Sequence, residues 1–490
     1  MVAVTPSSPP PAKPVPSRTV IVGGGLAGLS AAVGLATAGQ PAILLESRPR
    51  LGGRAGSFRD SGTDEWIDHC QHVGMGCCTS LLWLIQTVGL QEYFRRDTTL
   101  HFVSPPHPDQ PPTIHPLRAS CLPAPFHLLP GLSRLNYLDR RSRREIRRGL
   151  LALARTTDHN LDQPFDRWLG HHGQSPESIS NFWEVILVSA LSESLDRISV
   201  AHARHVFVTG FLAHRRGWEP VIPRAPLEQI YGQRLSLWLA ERGIEVRTGS
   251  GVDRVEIHDD KVTGVQLRDG TPVTTDQVIL SVPHHRVANL LPESLARHRQ
   301  IAALEQLDTA PIAAVHLWLD RPLTDLPHAV LVGRLGQWLF RRESPTANGD
   351  YVQVVISAAR HVTQRDRQDV IDEVTEELRG VWPKSAGFRV LRSRLVIEHR
   401  AVLSPRPGSE PSRPGAITPW PGLFLAGDWT QTGWPSTMEG AVRSGLIAVE
   451  SLLAVRGTPI QLQPPALPAG RLARFLLPID SRTTPQPTAP

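Results

Sequence analysis

The chain has 490 residues, a length that favours two or three packed modules over one simple core. Hydrophobic residues make up 40% of the sequence and charged residues 20%, a balance that is typical of globular proteins and excludes wholesale disorder. The formal net charge is +6, and this charge alone does not indicate nucleic-acid binding. No stretch approaches the about 18 apolar residues that a membrane-spanning helix requires.

Both ends of the sequence are rich in proline. Residues 1–17 lack the apolar core of a signal peptide, so we predict a disordered Pro/Ser-rich tail there, and a second Pro-rich tail with little order at 459–490. The cysteines and the adjacent pairs His171-His172 and His284-His285 show no metal-ligand spacing, so no metal site is predicted. The cysteines are too few for a disulfide scaffold, which favours a reducing, cytoplasmic location; they are Cys70, Cys77, Cys78 and Cys121.

The first strong pattern is a strand, a glycine turn, a helix and a second strand. A β-branched run, Thr19–Val22, precedes the turn GGGLAG at 23–28, and small apolar residues then recur at helical spacing. Residues 42–46 form a second buried run that ends in the carboxylate of Glu46. The order predicts the βαβ unit of a parallel sheet.

Each glycine of the motif Gly23-x-Gly25-x-x-Gly28 has a mechanical role. The first permits a tight turn, the second lets a pyrophosphate approach the backbone, and the third lets the helix pack on the strand. The positive end of the helix dipole then faces the phosphates. Glu46 follows at the distance expected for a carboxylate that accepts hydrogen bonds from an adenosine ribose.

Further segments favour FAD over a nicotinamide cofactor. Residues 51–54, LGGR, provide a second glycine turn and a fixed cation for the flavin-side phosphate. Asp428 follows an apolar strand and is placed to bind ribityl hydroxyls, although a simple helix cap explains it equally well. Residues 433–440 begin a helix whose N-terminus would stabilise a reduced isoalloxazine. The predicted FAD-binding residues are Gly23, Gly25, Leu26, Ala27, Gly28, Glu46, Ser47, Gly53, Arg54, Val252, Gly427, Asp428, Thr437 and Met438.

The remaining pattern predicts an α/β fold (α+β overall), in which a Rossmann-type FAD-binding domain carries an inserted substrate domain of mixed sheet and helices. Strand-like runs between 310 and 357 suggest a sheet that forms the floor of a substrate cavity. The FAD-binding domain is expected to be discontinuous, at 18–75, 226–300 and 410–458. The substrate domain would comprise a mainly helical part at 76–225 and a second part at 301–409.

The glycine fingerprint and the GDWT segment at 427–430 resemble the flavin amine-oxidase/phytoene-desaturase superfamily. More narrowly, the chain resembles the squalene-associated FAD-dependent desaturases, which are hydroxysqualene dehydroxylases of bacterial hopanoid biosynthesis. The matching segments run in order from about 18 to 455; they are RPRLGGRAGSF (48–58), QHV (71–73), LPAPFHLLPGL (122–132), HGQSPESISNFW (172–183), HLWLDRP (316–322), GQWLF (336–340), VVISAA (354–359) and PGLFLAGDWTQTGWPSTMEGAVRSG (421–445).

The sequence departs from this family where a substrate is expected. An Asp-Asn-Gly-Gln-His run of the family is replaced here by DHCQH at 68–72, and Ser192 stands where Asn is common. Gln431 and Trp434 replace the more usual Asp and Leu.

The resemblance implies removal of an allylic hydroxyl from a C30 isoprenoid, giving squalene. Protonation of the hydroxyl lets water leave, and reduced FAD delivers hydride to the allylic cation. The candidate acids are Asp68, His69, His72 and Glu439, with a structural hydrogen-bonded role as the alternative for the two histidines. Aromatic faces would shelter the cation, with core packing as the alternative for each; the candidates are Trp183, Trp338, Phe340, Trp429 and Trp434.

Such a substrate barely dissolves in water, so access from a bilayer is expected. Residues 140–155, RRSRREIRRGLLALAR, join a cationic cluster to a Leu-rich turn, as interfacial helices do. This pattern leads us to expect peripheral contact with an anionic membrane on its cytoplasmic face, a solvated helix being the alternative.

Three other functions share these features in part. An amine oxidase commonly places a lysine near the flavin, but this chain has only Lys13, Lys261 and Lys384. A carotenoid-type desaturase would share the fold, the cofactor and a hydrophobic substrate. A non-enzymatic prenyl-lipid carrier on the same fold would have no need of the intact glycine set.

Overall fold

The structure is a computed structural model that describes residues 18–157, 161–342 and 349–478. The tail predicted at 1–17 and the end of the second tail, 479–490, lie outside the described residues. The described strands are β1 (Thr19–Val22), β2 (Ala42–Leu45), β3 (Ser57–Arg59), β4 (Trp66–Asp68), β5 (Gly74–Met75), β6 (Phe94–Arg96), β7 (Leu100–Val103), β8 (Ile114–Leu117), β9 (Pro220–Pro223), β10 (Glu245–Arg247), β11 (Val252–His258), β12 (Lys261–Leu267), β13 (Pro272–Thr274), β14 (Val278–Leu280), β15 (Thr309–Leu319), β16 (His328–Leu331), β17 (Trp338–Arg341), β18 (Asp350–Ile356), β19 (Val390–Leu403) and β20 (Leu423–Leu425).

The α-helices of the same ranges are α1 (Leu26–Thr37), α2 (Thr79–Val88), α3 (Leu129–Ser133), α4 (Arg140–Arg155), α5 (Phe165–His171), α6 (Pro176–Ser178), α7 (Glu184–Leu191), α8 (Val200–His205), α9 (Leu235–Ala240), α10 (His284–Val287), α11 (Glu293–Ala296), α12 (Arg299–Ala302), α13 (Arg367–Val381), α14 (Met438–Val455) and α15 (Arg471–Leu476). Three π-helical stretches continue these helices: Ile179–Trp183 joins α6 to α7, Val206–Leu212 extends α8, and Glu228–Arg234 leads into α9. None of the described helices combines the length and the apolarity needed to cross a bilayer.

A five-stranded parallel sheet, in the order β10–β2–β1–β14–β20, forms the core of the predicted nucleotide-binding domain. Its central strands are buried apolar runs without alternation, as expected for strands that are covered on both faces. Helices α1 and α14 pack against each other beside this sheet, where the Ser30 hydroxyl donates to the Val442 carbonyl at 3.1 Å. The predicted α/β fold with a Rossmann-type unit is confirmed.

A seven-stranded mixed sheet, in the order β19–β15–β18–β17–β16–β7–β8, forms the second layer. Side chains alternate across it, so that Leu339 and Val354 pack towards α13 while Trp338 and Val355 face the opposite side. Because that opposite side lines a cavity, the structure confirms the expected cavity floor.

The region 76–225 contains helices α2 to α8 and also contributes short strands, of which β7 pairs in parallel with β16 and brings β8 into the large sheet. One expectation about order needs correction. Part of the second Pro-rich tail is packed, because Leu462 is buried and its N–H donates to Glu450 at 2.6 Å.

The close contact between α1 and α14 predicts that a methyl group added at Gly445 would destabilise the protein. A Cβ at Gly445 would lie 2.1 Å from the Ser30 hydroxyl and 2.2 Å from the Ala27 carbonyl oxygen. We expect Gly445→Ala to destabilise the protein by about 1–3 kcal/mol through overpacking, and to lower the melting temperature.

Gly380→Ala in α13 is the matched control, because a Cβ there meets nothing within 4 Å. It should leave the melting temperature unchanged or raise it slightly, since alanine favours helix more than glycine does. Equal melting temperatures for Gly445→Ala and the unmodified protein would show that the two helices do not approach this closely.

Candidate active site

The first glycine turn lies at the carboxyl edge of the parallel sheet, where β1 runs into α1. Gly23 has a φ of +111°, and a Cβ on Gly28 would lie 1.9 Å from the Gly23 carbonyl oxygen. Ser281, which follows the neighbouring strand β14, donates to the carbonyls of Val22 and Gly23 at 2.9 and 2.8 Å. The turn therefore requires glycine and presents bare backbone at the start of α1, as a pyrophosphate site needs.

A second glycine turn lies directly against the first. The Gly52 N–H donates to the Gly24 carbonyl at 2.8 Å, and a Cβ on Gly53 would lie 3.0 Å from the Gly25 Cα. Gly53 has a φ of +61°, in the left-handed region that favours glycine. The two turns together form one cradle of backbone.

Glu46 closes one side of this cradle at the end of β2. Its buried carboxylate accepts hydrogen bonds from the Gly24 N–H at 2.6 Å, the Arg48 N–H at 2.8 Å and the Ser47 hydroxyl at 3.1 Å. The Ser250 N–H donates to the Glu46 carbonyl at 2.8 Å, so the start of β11, with buried Val252, lies beside it. These residues form the far end of a nucleotide groove.

Arg54 and Asp428 form an ion pair across the other side of the groove. Asp428 is buried, and its carboxylate also accepts a hydrogen bond from the Ser436 hydroxyl. Burial alone would raise the pKa of Asp428, but Arg54 and Ser436 lower it, so the carboxylate stays charged. The helix-cap explanation does not hold, because the Thr437 hydroxyl caps α14 by accepting from the Gly440 N–H at 3.2 Å.

A cavity of about 310 Å³ begins next to this segment. Sheet side chains form one wall, and two of the π-helical stretches, Ile179–Trp183 and Val206–Leu212, contribute to the other, with aromatic and aliphatic groups on both. Its lining residues include Gln71, Trp434 and Met438. The segment that begins α14 thus contacts Asp428 through Ser436 and lines an apolar chamber through Thr437 and Met438.

Comparison with known proteins decides what this arrangement is. A model of the flavin containing amine oxidoreductase family matches residues 26–453. The chain belongs to this family.

This flavin oxidoreductase is similar along most of its length to carotenoid desaturases. It is 27% identical to the 15-cis-phytoene desaturase of Solanum lycopersicum, over 91% of this chain and 79% of that protein. It is 26% identical to the zeta-carotene desaturase of Synechocystis sp., over 89% of this chain and 97% of that protein.

Solved structures share its fold. An oxidoreductase from Methanosarcina mazei superposes with a TM-score of 0.69 at 18% identity, covering 89% of this chain and all (100%) of that one. A redesigned putrescine oxidase superposes with a TM-score of 0.68 at 16% identity, covering 90% and 99%. Membership of the flavin family makes the protein an FAD-dependent oxidoreductase.

Three of the five predicted aromatic residues line the cavity of this oxidoreductase. Trp338 donates to the Ser189 hydroxyl at 2.8 Å and stacks on Phe340, with ring centroids 5.5 Å apart. Trp434 packs edge-on against His205, with centroids 4.6 Å apart.

The expectation for the other two aromatic residues is corrected. Trp183 is fully buried in the helical core and donates to the Gln174 side chain at 2.7 Å. Trp429 is buried beside the parallel sheet and donates to the Val282 carbonyl at 2.9 Å. Both indoles pack in the protein core and line no part of the cavity.

Asp68 lies at a small polar pocket of about 50 Å³ that also contains Arg342. Burial raises the pKa of Asp68 to about 6, although it accepts hydrogen bonds from the Ser57 hydroxyl at 2.6 Å and the Leu227 N–H at 2.9 Å. The polar pocket and the apolar cavity share Gln71 and Phe340 in their walls. A carboxyl group that can hold a proton near neutral pH is thus next to the apolar chamber.

The two candidate histidines are placed less favourably as acids. The His72 Nδ1 lies 2.8 Å from the Cys70 carbonyl, and burial lowers the pKa of His72 to about 4. Burial also lowers the pKa of His69, whose ring lies 5.2 Å from that of Phe58. Both rings are therefore neutral at pH 7, and neither lines the cavity or the polar pocket.

Glu439, the remaining candidate acid, links two helices. Its two carboxylate oxygens accept hydrogen bonds from the N–H groups of Ser80 and Leu81, at 3.0 and 2.8 Å. These groups belong to the first turn of α2, so Glu439 stabilises that helix start and ties it to α14. Burial raises the pKa of Glu439, whereas these N–H groups and Arg443 lower it, and the residue also lines the cavity. Glu439 is thus a second carboxyl group of raised pKa at the cavity, although both of its oxygens already accept hydrogen bonds from backbone.

Two residues that hold the backbone of the site in place, Arg413 and Ser281, were not predicted from the sequence. Arg413 is buried and donates to the carbonyls of Thr430 and Trp434 at 2.7 and 2.8 Å, which fixes the loop after β20. No local pattern marks this arginine. Ser281 was detectable, because a polar residue directly after a buried parallel strand lies at the edge where ligands bind.

The ion pair across the groove predicts how FAD affinity responds to charge. Asp428→Asn removes the charge that holds Arg54 but keeps the size of the side chain. We expect the affinity of the apoprotein for FAD to fall at least about tenfold, measured by titration of flavin fluorescence.

Glu293→Gln is the control, because Glu293 forms an exposed ion pair with Arg297. The Glu293 side chain is 78% exposed and the Arg297 side chain 77%. Exposed pairs contribute little, so FAD affinity should not change. Unchanged affinity in Asp428→Asn would contradict a role for this carboxylate at the flavin end.

Proposed function

We propose that this oxidoreductase converts hydroxysqualene to squalene, as part of squalene and hopanoid biosynthesis, by reductive removal of an allylic hydroxyl. The observation that carries this proposal is the junction of an apolar cavity with a small polar pocket that contains a carboxyl group of raised pKa. A long hydrocarbon with a single hydroxyl matches such a junction. The ordered family segments of the sequence favour the same substrate.

The cavity supports a hydrocarbon substrate more strongly than a charged one. Its walls are built mainly from Leu, Ile, Val, Phe and Trp side chains. Relatives named for phytoene and zeta-carotene desaturation also act on isoprenoids, which supports the substrate class. A cationic amine would lose its hydration in these walls, where Glu439 is the one acidic lining residue in the described part of the chain and already accepts hydrogen bonds from the N–H groups of Ser80 and Leu81.

The described residues fit FAD in an extended conformation. The paired glycine turns would hold the pyrophosphate, Glu46 the adenosine ribose, and Asp428 with Arg54 the ribityl and its phosphate. The start of α14 at Thr437 would face the isoalloxazine with the positive end of its dipole. Reduced FAD, when bound, supplies hydride.

Asp68 is the proposed proton donor. Its proton passes to the substrate hydroxyl, the C–O bond breaks, and water leaves an allylic cation. Addition of hydride to that carbon gives the hydrocarbon, so one alcohol, one proton and one hydride yield squalene and water. The pocket beside Asp68 has room for a few waters at about 10–15 Å³ each and can receive the released one.

The aromatic wall would stabilise the cation. Trp338 and Phe340 lie nearly parallel, with an interplanar angle of 9°, and both line the cavity. The electron-rich faces of such rings attract cations by about 0.5–2 kcal/mol each. Trp434 is the third ring at the same chamber.

A carotenoid-type desaturase is the second candidate, and the desaturase relatives favour it. That reaction would run the flavin in the oxidative direction and needs no acid to expel water. An amine oxidase gains no support, because Lys261 and Lys384 line neither the cavity nor the polar pocket. The close-packed glycine turns argue against a carrier without flavin.

Product analysis separates the two main candidates. We expect anaerobic incubation of the reduced enzyme with hydroxysqualene to give squalene and oxidised flavin. Incubation of the oxidised enzyme with phytoene should give no desaturated product. Desaturation of phytoene with no conversion of hydroxysqualene would overturn the proposal.

Substitution of Asp68 tests the proton donor. Asp68→Asn keeps an oxygen that can accept from Ser57 and Leu227 but cannot donate a proton as an acid. We expect the single-turnover rate of flavin oxidation by hydroxysqualene to fall about 10²–10⁴-fold. FAD content should stay unchanged, and an unchanged rate would exclude Asp68 as the acid.

The pH dependence of the same rate provides an independent test. Because Asp68 must be protonated, the rate should fall as pH rises above about 6, the raised pKa of Asp68. Nearby Cys70, whose pKa burial raises to about 12, stays neutral in this range, as do Tyr231 and Tyr351, whose pKa values burial also raises. Asp68→Asn should abolish this pH step, and its persistence would assign the step to another group.

A further inference from the structure

A patch of exposed apolar side chains surrounds a small buried cluster near α15. Among the described residues, Phe475 is the most exposed large hydrophobic side chain, at 84%, and Leu151 on α4 is 46% exposed. Leu122 and Phe126, in the loop before α3, are 40% and 38% exposed. The buried cluster beneath them joins all three segments; its members are Ala124, Ala154, Val208, Ala473 and Leu477.

The same cluster touches the wall of the substrate cavity. Leu212 packs against the cluster and also lines the cavity. Pro125, from the exposed loop, and Leu150, next to Leu151 on α4, line the cavity as well. We call the exposed surface formed by Leu122, Phe126, Leu151 and Phe475 the apolar rim, because it borders this end of the cavity.

Arginines accompany the apolar rim. At 3.6 residues per turn, the exposed side chains of α4 fall within about 120° of arc, and Leu151 is among them. The exposed arginines of this face are Arg140, Arg141, Arg144, Arg147, Arg148 and Arg155. The one acidic residue of α4, Glu145, is engaged by Arg141 at 2.8 Å. On α15, Arg471 and Arg474 are exposed beside Phe475.

We propose that the apolar rim and the arginine face of α4 dock on an anionic lipid bilayer, so that the isoprenoid enters the cavity from the membrane. Exposed Phe and Leu side chains would insert at the level of the acyl chains, and the guanidinium groups would contact lipid phosphates. A second copy of the chain is a poor occupant, since two arginine faces repel each other. The proposal rests on the proposed function only for the identity of the lipid that enters.

The test uses the full chain with bound FAD and flotation on vesicles. Vesicles of phosphatidylcholine with phosphatidylglycerol should carry the protein upward at low salt, and phosphatidylcholine alone should carry much less. The double variant Leu151→Asp/Phe475→Asp should reduce the floated fraction about tenfold. Arg144→Glu/Arg148→Glu should abolish the preference for anionic vesicles.

Leu237→Asp/Val455→Asp is the matched control, because these side chains are 59% and 65% exposed but lie outside the apolar rim. It should float like the unmodified protein. Bound-flavin absorbance shows that each variant is folded. Flotation does not depend on turnover, so a failure to convert hydroxysqualene leaves this result intact.

Three outcomes would overturn the proposal. The first is that the unmodified protein stays at the bottom of the gradient at low salt. The second is that the rim variant and the control float equally. The third is a stable dimer that dissociates in the rim variant, measured by size-exclusion chromatography with light scattering, which would assign the apolar rim to a protein interface.

Discussion

The contact between Arg54 and Asp428 holds the active site together. The two residues are 374 positions apart, yet both follow strands of one parallel sheet and meet at its carboxyl edge. This contact fixes the second glycine turn relative to the start of α14, and so sets the width of the groove for FAD. Glu439 on the same helix then orients α2, whose first residues border the cavity. The position of the cavity relative to the flavin therefore depends on the contacts at the carboxyl edge of the parallel sheet.

Charge and apolar surface are separated within the site. The ionised groups of the groove are paired, whereas the adjoining cavity is bounded mainly by hydrocarbon. Two of the π-helical stretches, Ile179–Trp183 and Val206–Leu212, contribute to its wall, and such irregular turns are common at functional sites. The wide turn lets Phe207 and Phe211 both reach the cavity. An environment of this kind suits a reaction in which a cation must be kept from bulk water.

Local pattern predicted the βαβ unit closely, because strand, turn and helix are each determined by neighbouring residues. β1 and β2 start where the apolar runs start, and the glycines occupy the conformations that the turn requires. Residue type alone did not distinguish Trp183 from Trp338, since both are aromatic and only tertiary packing decides which one faces the cavity. The contact of Glu439 with α2 was not predictable for a similar reason, because its partners there lie 358 and 359 residues away. The strand β7 was missed since its partner β16 is distant in the sequence.

The central claim is that FAD lies along one continuous groove and presents its ring to the apolar cavity. A crystal structure of the complex with FAD tests this claim most directly. We expect the pyrophosphate at the paired glycine turns, the ribityl beside Asp428, and the isoalloxazine between Thr437 and the cavity wall at Gln71. An isoalloxazine that lies outside the cavity, or a pyrophosphate that is displaced from the glycine turns, would contradict the account.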